Sequence, residues 1–219
     1  LLDSAILDPL GSKLVDDYKD DISSRKDWED CYRNGLDLLG FKYERRTEPF
    51  RGASGVNHPV LAEAVTQFQA QAYKELLPSD GPVRTQILGD VNVPKEEQAK
   101  RVKDFMNYQI MDQMKEYEPE FDQMLFYLPL SGSTFKKVYY DDIIGRAVSK
   151  FVPADDLIVP YSANSLEDAE AVIHVIKISE NELRKQQVSG FYRDIELGTP
   201  PVTENQLEDK KLQLEGISK

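Results

Sequence analysis

Cysteine and histidine are nearly missing from this 219-residue chain: Cys31 stands alone, and His58 and His174 are its two imidazoles. One cysteine excludes an intrachain disulfide and a cysteine-based zinc cage, and two histidines leave no histidine-rich metal site. Such a chain suits a reducing compartment. Long apolar runs are missing as well. No stretch approaches the roughly 20 consecutive apolar residues that cross a bilayer, and no basic-then-apolar signal opens the sequence, so a soluble chain with no membrane partner is expected. Positive charge is in deficit: 27 Lys+Arg against 39 Asp+Glu give a formal net charge of -12. That excludes a surface that coats nucleic acid by neutralising phosphates, and any contact with DNA has to be local or transient.

Catalytic signatures are equally scarce. The densest glycine region, Gly52-x-x-Gly55, has no Lys-Ser/Thr after it and no strand before it, so it is not a phosphate loop. There is no G-x-S-x-G elbow, and neither histidine sits in a constellation that reads as the base of a serine triad. Acidic residues pair at Asp16-Asp17, Asp20-Asp21, Asp141-Asp142 and Asp155-Asp156, with a further run of Glu116, Glu118, Glu120 and Asp122. Adjacent side chains on a helix or strand point in different directions, so these are read as a solvated acidic face rather than an acid and base in one pocket. The pairs at 141–142 and 155–156 fall where hairpin turns are expected, and turn capping accounts for them. No catalytic residue, cofactor site or metal site is assigned, and the chain is not expected to be an enzyme.

What is present is helical pattern, then strand pattern. Residues 10–39 show an acidic amphipathic repeat through Leu14, Tyr18 and Ile22, then a shifted stripe of Trp28, Cys31, Tyr32, Leu36 and Leu39, which predicts two helices breaking near Ser23-Ser24. Pro59 to Leu77 predicts a helix capped by Asn57 or His58, with Leu61, Val65, Phe68, Ala72 and Leu76 inward. Residues 78–93 suggest a turn and a short edge strand. Pro94 to Tyr117 predicts a long helix burying Val102, Phe105, Met106, Ile110, Met114 and Tyr117, and Pro119 restarts a shorter one through Phe121, Met124, Leu125 and Leu128. The methionines at 106, 111, 114 and 124 are taken as adaptable packing.

From Thr134 the runs TFKKVYYD, RAVSKFV, DLIVPY and AEAVIHVIKI are short, β-branched and aromatic, which predicts an antiparallel meander with a turn at Gly145. Lys136-Lys137 lies in the first run and is two charges only, too few to mark a site. His174, on one face with Val172 and Ile176, reads as a structural or interfacial imidazole, and His58 as a neighbour of a helix cap. Ser179-x-x-Glu182 is a capping box opening a short helix through Gln187. The fold class expected is α+β: a helical region over 1–133, an antiparallel β region with a short helix over 134–197, and a linker or extended arm over 198–219.

Residues 41–57 mix charge with proline and glycine and read as a long surface excursion, the kind of loop that usually carries function. Arg45, Arg46 and Arg51 flank Tyr43 and Phe50, a pattern able to stack and neutralise nucleic acid. The interleaved Glu44 and Glu48 favour a loop of intersubunit ion pairs instead. Arg45, Arg46, Phe50 and Arg51 are therefore the candidate subunit or capsid interface, together with the acidic N-terminal helices.

Two runs carry a family resemblance: FRGASGVNHPVLAEAVTQFQAQAYKELLPSDGPVRTQIL at 50–88 and EYEPEFDQMLFYLPLSGSTFKKVYYDD at 116–142. They resemble the portal proteins, or head-to-tail connectors, of tailed bacteriophages, over about residues 25–180 and in the order of elements as much as in single residues. The resemblance implies the N-terminal wing portion of such a protein, whose helices precede a mixed β region. The family's basic clip, stem helices and tunnel helix have no counterpart in these residues. With Leu1 rather than Met at the start and GISK at the end, a piece of a longer chain is expected, with the channel-lining segments elsewhere.

The resemblance further implies a homo-oligomeric ring of twelve subunits at one capsid vertex. The expected partners are the major capsid protein, the terminase large subunit, tail adaptor proteins, and viral double-stranded DNA passing through without sequence-specific binding. ATP hydrolysis belongs to the terminase motor. The location implied is the virion, at the portal vertex, after assembly in the host cytoplasm. Competing readings are another phage virion or scaffold-like assembly protein and a phage-encoded hydrolase.

Overall fold

A computed structural model describes residues 4–39, 50–53, 58–142, 144–196, 198 and 211. The chain divides into two compact units, Leu1–Arg33 with Asp155–Lys219, and Asn34–Ala154. These units group elements by contact, whereas the sequence divisions at 133 and 197 follow changes of secondary structure. The architecture is mixed: helices come first, and small antiparallel sheets follow.

The first unit holds α1 (Ser4–Ser24), the first half of α2 (Lys26–Leu39), the strands β3 (Leu157–Ile158) and β4 (Ile173–His174), and α6 (Glu180–Val188). The expected break between the first two helices falls at Arg25, where Arg25 N–H bonds the Ile22 carbonyl and Ser23 and Ser24 fold their hydroxyls back onto the carbonyls of Asp20 and Asp21. Those back-bonds offer the chain an alternative to continued helix. The first helix begins earlier than its pattern suggests and runs through Pro9. The serine half of the expected capping box is present: the Ser179 hydroxyl accepts from the Glu182 N–H at 3.3 Å.

The second unit is built around α3 (Val60–Leu76) and α5 (Tyr117–Ser131), with α4 (Val93–Tyr108) and the hairpin β1 (Thr134–Asp141) and β2 (Arg146–Pro153). Leu77, Phe121 and Leu125 form its buried cluster, with Ala72, Tyr73, Tyr117 and Met124 packed around it. Each such large side chain contributes about 1.5–3 kcal/mol on burial. Polar ties fix the helix pair: Gln69 donates to the Asp122 carboxylate at 2.8 Å, and the Tyr73 hydroxyl donates to Glu118. Pro119 sits in the first turn of α5, where no intrahelical N–H is needed. Gly132 ends that helix in the left-handed region at φ 78°, its N–H on the Leu128 carbonyl. The hairpin pairs in register from Thr134 opposite Pro153 to Asp141 opposite Arg146. Asp141 caps its turn through the Ile144 N–H, as expected of that acidic pair.

Several expectations are corrected. The predicted single meander is two separate two-stranded sheets, β1-β2 and β3-β4. In DLIVPY and AEAVIHVIKI two residues each pair, Leu157 with His174 and Ile158 with Ile173; Pro160 has no N–H to extend the ladder. Residues 78–93 form no strand, and the Asn107 side chain instead takes up backbone groups of Asp80 and Val83. Its Oδ1 accepts from Val83 N–H at 2.9 Å, and its Nδ2 reaches the carbonyls of Val83 and Asp80. Gly81 permits this at φ 89°, where a Cβ would lie 2.4 Å from Asn107 Cγ.

The helix expected over 94–117 ends at Tyr108 and passes through a π-helical turn, Gln109–Gln113, which Met114 N–H closes onto the Gln109 carbonyl. Its expected inward face is not inward: α4 has no buried residue, and Val102, Phe105 and Met106 are exposed. Periodicity marks a helix as amphipathic without saying whether its partner lies in the same chain. The stripe of α3 is likewise only partly inward, with Val65 buried and Phe68 and Leu76 exposed. Pro59 occupies the N-cap position of α3 with no side-chain cap bond.

Candidate functional site

Of the four residues assigned to an interface from sequence, Arg45 and Arg46 lie outside the described residues, as do Tyr43, Glu44 and Glu48. Phe50 and Arg51 are described. They occupy a turn closed by Ala53 N–H on the Phe50 carbonyl, with Gly52 at φ 92°, and both side chains are exposed. A phenyl ring 70% exposed beside an exposed guanidinium is a surface able to enter a protein contact by stacking and charge.

Arg25 is the best-connected charged group of the first unit, and its sequence pattern did not single it out. It is buried between α1 and α2, donates from Nε to Glu29 at 3.0 Å, and reaches the Leu157 and Asp155 carbonyls at 3.2 and 2.8 Å. Its guanidinium also lies 5.3 Å from the Trp28 ring centre. The strand ladder of β3 thus hangs on one cation at the helix break. Lys211 pairs with the Asp155 carboxylate at 2.6 Å and lies 5.5 Å from the Tyr32 ring, so this residue of the expected C-terminal arm is docked on the unit. Burial pushes the neighbouring Asp156 carboxyl up, and Asp155 adds to that, against the opposing charges of Lys177, Lys211 and His174. This pair does more than cap a turn. His174 is half-buried in β4.

In the second unit, Lys136 departs most from its sequence reading. Its Nζ lies 3.4 Å from the Tyr117 ring centre and 4.7 Å from that of Phe121, is buried, and has no hydrogen-bond partner among the described residues. Burial pulls the ammonium down to about 8, against the attraction of Glu120. Glu120 itself accepts from Phe151 N–H at 2.7 Å, and Arg146 grips Glu116 with two bonds of 2.6 and 2.8 Å. The acidic run at 116–122, read as a solvated face, instead clamps α5 to α3 and to the hairpin. Among the described residues no three His, Cys, Asp or Glu side chains converge to hold a metal, and no helix is long and apolar enough to cross a membrane.

No protein-family model matches the chain, and no curated protein matches it.

Proposed function

We propose that this chain is a structural subunit of a phage portal ring, the wing portion of a longer protein. In this reading it contributes to the DNA packaging and ejection passage, sits at the portal vertex of the virion, and docks the terminase large subunit, tail adaptor proteins and major capsid protein rather than performing catalysis. Residues 116–142 support the reading most. The run that carries the family resemblance is also the one around which the second unit is organised, from the Glu116–Arg146 clamp through the Gly132 helix stop to the hairpin.

The test is the position of a small epitope tag on the full-length protein in assembled particles. Label at a single vertex supports the portal reading. Label over all vertices or the whole shell, or a protein absent from particles that turns over a nucleotide or ester, contradicts it.

A further inference from the structure

The hairpin of the second unit has two backbone edges, and one of them is open. Phe151 N–H donates to the Glu120 carboxylate at 2.7 Å, so the backbone of Phe151 points away from β1. Phe151 stands opposite Lys136, and an antiparallel ladder alternates. Lys136, Val138 and Tyr140 therefore turn their N–H and C=O groups outward on the far side of β1. The β2 edge is covered by α5, which supplies Glu120. On the β1 edge the outward groups have no hydrogen-bond partner among the described residues. An uncovered edge of this kind is a template for another strand.

The side chains along β1 complement a second copy of β1 in one antiparallel register, with Tyr139 opposite Tyr139. Val138 then lies opposite Tyr140 of the other copy, and Tyr140 opposite its Val138. These are the outward-pointing residues, so each pair exchanges both of its N–H···O bonds. They are also 66% and 63% exposed, and a β-branched residue beside an aromatic one is a favourable cross-strand pair. On the opposite face Lys137 meets Asp141 of the other copy, and Asp141 meets its Lys137. Within one chain Lys137 stands opposite Lys150; both are exposed, and neither has an ion-pair partner among the described residues. Like charges directly opposite weaken a sheet, and the second copy brings a carboxylate to the free side of Lys137. Asp141 is held for this by the Ile144 N–H and stands opposite Arg146 on β2, so cations flank it on both sides.

We infer that the open edge of β1 pairs with the same edge of a second copy of this chain, joining two hairpins into one four-stranded sheet. The contact is two-fold, since each copy offers the same patch. It therefore goes beyond the portal reading: it cannot be the head-to-tail contact that closes a ring, and it links two copies whether they are free chains or members of two rings.

A charge swap and a cysteine scan in the full-length protein test it. Lys137→Asp alone sets aspartate against Asp141, and Asp141→Lys alone sets lysine against Lys137, so by sedimentation each is expected to pair about tenfold more weakly than wild type. An equimolar mixture is expected to regain wild-type pairing, because both crossed contacts then have opposite signs. Circular dichroism checks that each variant is folded. Independently of the charges, Tyr139→Cys in a Cys31→Ser background is expected to form an intermolecular disulfide on mild oxidation, because this register sets residue 139 against itself within bonding distance. Lys137→Cys in the same background is not expected to do so. Undiminished pairing of either charge variant, a mixture no better than its components, or residue 137 cross-linking as readily as 139 overturns the inference. A closed ring without the 139 disulfide overturns it and leaves the portal reading standing. Disulfide-linked pairs that never assemble into a ring uphold it and contradict that reading.

Discussion

Lys136→Met should abolish a rise in stability that the wild type shows on the alkaline side of neutrality. In the folded chain the ammonium is buried against Tyr117 and Phe121 and titrates at about 8, against 10.5 for an ordinary lysine. At 1.36 kcal/mol per pKa unit, the folded state pays about 3 kcal/mol to keep this charge. Below about pH 8 both states bind the proton and the penalty is constant. Between about 8 and 10.5 the unfolded chain holds a proton that the folded chain has released, so stability climbs with pH. Linkage over about pH 7.5 to 9.5 amounts to a gain of about 2 kcal/mol. The window closes above about pH 10, because Tyr73, pushed up to about 12 by its hydrogen bond to Glu118, keeps a proton that unfolded tyrosines lose. Urea denaturation followed by far-UV circular dichroism at the two pH values measures this. An equal climb in wild type and Lys136→Met, or none in wild type, would refute the placement of Lys136 under the two rings.

Removing the Arg25 guanidinium as Arg25→Ala strands Glu29 and two carbonyls, and should cost about 3–5 kcal/mol, read as a lower denaturation midpoint by Trp28 fluorescence. Arg146 holds the Glu116 carboxyl below its ordinary value, so this pair stabilises above the unfolded pKa and is lost as pH falls through the folded one. Glu116→Gln should therefore flatten part of the acid limb of the stability curve, and an unchanged limb counts against the pair. Gly81→Ala should destabilise the loop around Asn107 by at least about 1 kcal/mol, with faster amide exchange at Val83 as its signature. Duplex DNA should show negligible binding to residues 1–219 at physiological ionic strength by fluorescence anisotropy; submicromolar, salt-sensitive binding would turn the Arg45, Arg46 and Arg51 loop into a nucleic-acid site.

Much of the fold is legible where local chemistry decides it. The strands at 134–141 and 146–153, the serine cap at 179 and the helix break near 24 each follow from side chains acting on their own backbone. Legibility fails where a distant partner intervenes. Asn107 lies 24 residues from Val83, yet its amide takes the backbone groups there that a strand partner would use. The hydrophobic repeat of α4 is genuine, but its face is left uncovered, which no period can announce. Lys136 looks like any strand lysine until Tyr117 and Phe121 on α5 close over it. Arg25 is one residue in a helix break, and only the arrival of β3 makes it a hub. Of the interface assigned from sequence, Phe50 and Arg51 are on the surface as expected, and Arg45 and Arg46 lie outside the described residues.

Native mass spectrometry of the full-length protein tests the central claim most directly. The portal reading predicts a closed species of twelve identical subunits that resists dilution, since a ring breaks only by losing two contacts at once. Charge reversal at Arg45 and Arg46 should weaken that species. A full-length protein that stays monomeric across protein concentration and salt would contradict the account.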